Sequence, residues 1–219
     1  MLFLLKNVIA NAITNIFFII LHKKTCKLMY SKETIEKLGN SMIYMSMKVP
    51  ELSKTKLLKL IYLLEETSVK KNNLPFFGIP FEVWQAGPVA KDIFIDLDST
   101  PSLFAKFITL SKNNDSTYIS AKSTFNDDEF SDYDLEVMNY VIEKYGNKTA
   151  KQLVQLLHKE DSAWYKEAKE NGLIDAFKNK ITNSSNKEID FTYYLSGCGI
   201  ERYRDCIEYK KSVSHLNPY

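Results

Sequence analysis

The feature that most constrains this chain is the run Lys56-Leu57-Leu58-Lys59-Leu60-Ile61-Tyr62-Leu63. Ser53 just before it can accept a hydrogen bond from the free backbone N–H groups that open a helix. The spacing then puts Leu57, Leu60, Ile61 and Leu64 on one face, with Lys54, Lys56, Lys70 and Lys71 marking solvated flanks. The pattern predicts a helix at the centre of the core. A preceding stripe of Ile35, Leu38, Met42, Met45 and Val49, at alternating intervals of three and four, predicts a first helix capped by Ser31 and stopped by Pro50.

Beyond the prolines and glycine between Asn72 and Pro80, Phe81 to Trp84 reads as a short strand rich in β-favouring side chains. Gly87-Pro88 ends it, and Pro88 suits the first turn of a helix from Val89 to about Asp98. Tyr118 to Ser123 is a second strand able to pair with the first. Ser131-x-x-Asp134 and Thr149-x-x-Gln152 are capping boxes that start two helices, one turning Leu135, Met138, Val141 and Ile142 inward, the other Leu153, Leu156 and Leu157. Asp127, Asp128 and Glu129 complement the positive end of the first, which accounts for the acidic run without a metal. After Thr182 a polar loop precedes a tyrosine-rich stretch, Asp190 to Lys211, that allows a further helix, and Ser212 to Tyr219 reads as a mobile tail. The fold class expected is mainly α, a compact helical domain with a small antiparallel β element (α+β).

Composition removes several functions. With 29 Lys and Arg against 27 Asp and Glu, the net charge of +2 disfavours a dedicated nucleic-acid binder, although Lys54, Lys56, Lys59, Lys70 and Lys71 with Tyr62 offer a local basic and stacking surface. Seven glycines and no glycine-rich fingerprint leave no phosphate-binding loop, hence no expected cofactor. Cys26, Cys198 and Cys206 form neither a disulfide framework nor a zinc site, which fits a reducing cytoplasm. The histidines, His22, His158 and His215, lie beside no nucleophile, so no catalytic set is expected. Leu2 to Leu21 is apolar enough to span a bilayer; translation starting at Met29, a membrane anchor and a secretory signal are the three readings, in that order.

Trp84 and Trp164 each sit beside a turn or helix start, where an aromatic either locks a core or anchors an interface. Convergence of Lys59, Tyr62, Trp84, Gln85, His158 and Trp164 would make a partner-binding surface, with Leu57, Leu60 and Ile61 left to hold the core.

The lysine-leucine helix, the turn Trp84-Gln85-Ala86-Gly87-Pro88-Val89, the block Phe130 to Gly146, the run Leu153 to His158 and Ala163-Trp164 together resemble the Panacea domain of SocA-like antitoxins. The resemblance covers about Ser31 to about Gly172. It implies a mainly helical domain, no catalytic residues, and a cognate protein toxin encoded beside it and neutralised by direct binding; some members deliver the toxin to a protease. The expected organisation is an apolar extension over 1–28, a Panacea-like domain over 29–180 and a partly helical C-terminal extension over 181–219. Membrane contact would come only through residues 1–21. The competing classes are a DNA-binding regulator of its own operon, which salt-sensitive promoter binding would reveal, and an enzyme, which turnover by the isolated protein would reveal.

Overall fold

The computed structural model describes residues 30–113 and 116–216; the apolar stretch Leu2 to Leu21 lies outside them. Among the described residues there are eight α-helices and two separate two-stranded antiparallel sheets, so the fold is α+β with mainly helical content. No helix among those residues is long and apolar enough to cross a membrane.

Helix α1 (Lys32–Lys48) starts where expected, the Ser31 hydroxyl accepting from the Thr34 N–H, and its stripe Ile35, Leu38, Met42, Met45 and Val49 is buried. Helix α2 (Lys54–Asn72) is capped in the same way by Ser53. Of the lysines expected on solvated flanks Lys70 and Lys71 are exposed and Lys54 is half-buried, but Lys56 is not on a wet side: every residue from Lys56 to Val69 is buried. Helices from the C-terminal half, both β-hairpins and a 3-10 turn at Phe191–Tyr194 enclose it. A helix buried on all sides has no face to leave polar groups on, so each must find a partner inside. Glu65 shows the rule. Its carboxylate accepts from the Phe77 and Gly78 N–H groups at 2.7 and 3.2 Å, and burial pushes its pKa up to about 7 against the opposing pull of those donors.

Strand β1 (Glu82–Trp84) pairs with β2 (Gly87–Val89). Because Gly87 to Val89 continue the sheet, the helix expected from Val89 is only α3 (Lys91–Asp96). The other edge of β1 is taken by a late segment: Val83 N–H donates to Lys187 O, Gln85 N–H to Asn183 O and Ile189 N–H to Phe81 O, at 2.8 to 2.9 Å. Residues beyond the expected boundary at 180 are thus knitted into the domain, with Phe191 in its core.

The strand expected at Tyr118 does not join β1. It is part of β4 (Ser116–Ala121), which pairs with β3 (Ile108–Asn113), and its far edge is closed where Ile119 N–H donates to Leu52 O at 2.9 Å. β3 escapes sequence reading because only Ile108 and Leu110 are apolar in it. The Phe107 ring just before it lies against Gly39, where any side chain would collide.

Helices α4 (Asp132–Tyr145) and α5 (Ala150–Leu157) carry the two capping boxes in full. In α4 the most buried residues are Val137, Met138 and Val141, with Leu135 and Ile142 packed at the margin. Helices α6 (Ala163–Glu170) and α7 (Leu173–Lys178) follow, and α8 (Cys198–Leu216) takes in Ser212 to Leu216 of the stretch expected to be a mobile tail, whose last three residues lie outside the described ones.

Candidate functional site

The site is built around the tight turn joining β1 to β2. Trp84 and Gly87 are paired across it, so Gln85 and Ala86 form a two-residue loop, and both are exposed. Gly87 has a φ of +92°, and a side chain added there would lie 3.4 Å from Lys59 Nζ and 3.6 Å from His158 Nε2. The backbone angle is what calls for glycine there, since a Cβ would meet the two side chains at ordinary contact distance.

Two bonds fix the hairpin from below. Lys59 Nζ, at the heart of α2, donates to Pro88 O at 2.8 Å. Trp164 Nε1, in the first turn of α6, donates to Trp84 O at 3.0 Å. The Trp164 ring stacks on His158 with centroids 3.9 Å apart and an angle of 17°, and lies nearly parallel to Phe177 at 6.3 Å. Gln85 extends the set sideways, its Nε2 donating to Phe177 O at 3.1 Å.

Of the six residues expected to grip a partner, five meet here, but not as an exposed surface. Lys59 is 1% exposed, Trp164 3% and Tyr62 0%; Trp84 and His158 are half-buried, and Gln85 alone is exposed. For Lys59 and Tyr62 the assignment to a surface is corrected, because a helix enclosed on all sides turns both inward. Tyr62 also stands apart from the hairpin turn. Its ring packs edge-on against Phe81 at 5.3 Å, and its hydroxyl donates to Glu66, which accepts at 2.6 Å from Tyr194 as well. Tyr194 in turn accepts from the Ala163 N–H, so this chain of bonds secures the start of α6. Trp84 turns its ring away from Trp164, edge-on to Phe94 at 5.1 Å, with its Nε1 donating to Glu82.

Burial sets the charge at the site. Desolvation lowers the Lys59 pKa to about 7, because the ammonium has a carbonyl for company and no carboxylate. Burial, and then the charge of Lys59, lowers the pKa of His158 to about 4. His158 Nε2 is buried without a hydrogen-bond partner among the described residues. A neutral imidazole in that position costs least, and it stacks as a flat apolar ring.

The sign of the resulting pH dependence is fixed. A histidine whose folded pKa lies below its unfolded value favours the folded state fully above about pH 6.5, and that contribution is lost as the pH falls towards about 4. The stability of the wild-type protein should therefore fall more steeply over this window than that of His158→Gln. Thermal melts of both at several pH values check it; parallel profiles would show that His158 titrates normally.

Over the stacked rings lies a shallow hollow of about 420 Å³, lined by Gln85, His158, Trp164, Tyr165, Phe177 and Lys178 among others. Tyr165, Phe177 and Lys178 were missed by sequence reading, since nothing local distinguishes them from core or solvated positions. Among the described residues no group of three His, Cys, Asp or Glu side chains is arranged to hold a metal ion.

No curated protein and no solved structure matches the chain. A family does: residues 57–165 match the Antitoxin SocA-like, Panacea domain. The match begins in α2 and ends just past Trp164, so it contains Lys59, the hairpin turn, His158 and the tryptophan that bonds it. Residues 57–165 of this protein thus form a Panacea domain of the SocA-like antitoxin family, and the matched span includes the internal clamp that holds one hairpin turn in place.

Proposed function

We propose that this protein is an antitoxin that neutralises a cognate protein toxin, encoded beside it, by binding it directly, and that it acts without catalysing a reaction. The observation that supports this most is the use made of four residues within the matched span. Lys59, Gly87, His158 and Trp164 are committed to one another and to the backbone, and what they hold up to solvent is a rigid two-residue turn beside an aromatic hollow. A preorganised, partly apolar surface of this kind suits recognition, since little ordering remains to be done on binding.

On this reading Gln85, with the outer faces of Trp84 and His158, touches the toxin, while Lys59, Tyr62 and Trp164 position that surface from within. Co-expression with the product of the adjacent gene should restore growth and yield a co-purifying complex. Gln85→Arg, which inserts a long cation into the turn, should weaken the complex by about tenfold or more, with a melting temperature lowered by no more than the bond to Phe177 O is worth. Rescue of growth without any physical complex would point to an enzymatic antidote and defeat the proposal. An adaptor role would add a protease as second partner, and the toxin's half-life would then shorten when this protein is present.

A further inference from the structure

β3 is the one strand of the two hairpins with an edge that nothing covers among the described residues. β1 lies between β2 and the segment around Lys187, the outward carbonyl of Pro88 in β2 receives Lys59, and β4 is closed by Leu52. The alternation of bonds in the β3–β4 ladder fixes which groups of β3 point outward. Ile119 N–H points away from β3, towards Leu52, so the facing pair Leu110 and Ile119 exchanges no backbone bonds. Two residues along, the pair Lys112 and Thr117 has the same character. The N–H and C=O of Leu110 and Lys112 therefore point outward from the sheet, and no described residue bonds them. Ile108 adds an outward C=O, its N–H being taken by Phe104 O.

The surroundings match this edge to a strand rather than to a globular surface. Beside this edge lies a cavity of about 710 Å³ lined by Ile108, Thr109, Leu110 and Lys112 of β3. Leu97, Pro101 and Ala105 wall it from the preceding loop, and the Asp96 carboxylate anchors that loop by accepting from the N–H groups of Ser102, Leu103 and Phe104. A strand added beside β3 would send alternate side chains towards this cavity.

Charge then narrows the occupant. Lys112 and Lys122 line the cavity, and its one acidic residue, Asp98, is already bonded to Lys54 at 2.7 Å. A lysine on an edge strand discourages pairing with neutral or basic strands and with a second copy of itself, and so selects an acidic one. We propose, taking the protein as an antitoxin, that the β3 edge receives an extended, acidic segment of the toxin as an added strand, a second contact separate from the Gln85 turn.

The test uses the whole protein and a synthetic peptide alternating valine and glutamate. In the wild type the peptide should shift and protect the backbone amides of Leu110 and Lys112. Lys112→Pro removes an outward N–H that the hairpin does not use, so it should weaken the peptide by about tenfold or more while leaving the melting temperature unchanged. Lys112→Thr, which keeps the N–H and loses the charge, should weaken it less, and most at low salt. The toxin complex should follow the same order. Undisturbed Leu110 and Lys112 amides, or a toxin complex indifferent to Lys112→Pro, would overturn the strand addition and leave the antitoxin reading standing. Self-association abolished by Lys112→Pro would overturn it in favour of a second copy as occupant. Failure of the wild type to bind the toxin sinks the antitoxin reading instead, and the peptide result still decides the edge.

Discussion

Gly87→Val is expected to destabilise the protein severely and to abolish toxin binding with it. A β-branched residue at a φ of +92° carries about 1–3 kcal/mol of backbone strain before any contact is counted. Its Cβ would already be in contact with Lys59 and His158, so the two added methyl groups must crowd side chains whose positions are fixed by the Pro88 carbonyl and by the Trp164 ring. Neither can withdraw without giving up a bond or a stack. Denaturant unfolding should show a lower midpoint, with Gly87→Ala falling between the mutant and the wild type. A valine variant as stable as the wild type would mean that the turn can be rebuilt without a left-handed residue.

Leu60→Ala should cost about 2–5 kcal/mol, the range for deleting a fully buried leucine from a core that cannot collapse around the gap. Leu60 is 0% exposed and sits mid-helix among residues that are all buried, so there is no solvent side from which the void could be relieved. The comparison with Gln85→Ala is the informative one. Loss of the exposed amide should leave stability within about 0.5–1.5 kcal/mol of wild type, the net worth of its bond to Phe177 O, yet affect binding. Equal destabilisation by the two substitutions would show that the turn is part of the core.

What could be read from the sequence was local. Ser31, Ser53, Ser131 and Thr149 cap helices because the donor they satisfy lies three residues on, inside any reader's window. The buried stripe of α1 follows from its period alone. The position of Lys59 and Tyr62 could not be read in this way, because what makes their burial tolerable lies far off: Pro88 supplies the carbonyl for Lys59, and Tyr62 shares Glu66 with Tyr194, 128 residues from that glutamate in the chain. A lysine and a tyrosine on an amphipathic helix look like its wet side until those partners are known. The convergence of Lys59, Trp84, Gln85, His158 and Trp164 was legible as a set of residues; what was not legible is that Lys59 and Trp164 lie buried beneath the turn that carries Gln85. β3 went unseen for a simpler reason: an edge strand with one face in solvent needs few apolar residues, and this one has two.

The late segment that closes β1 has a consequence for the order in which the protein can be completed. As the chain leaves the ribosome, β1 and β2 are made long before Asn183 to Ile189, and the start of α6 before Tyr194. Until those residues emerge, one edge of β1 stays open and the first N–H of α6 lacks its acceptor. Unpaired edges on nascent chains are the points at which proteases and wrong partners take hold. The half-made protein should therefore be far more perishable than the finished one, and an interruption of synthesis between Tyr165 and Ile189 would leave the whole matched domain span present in a product that cannot last.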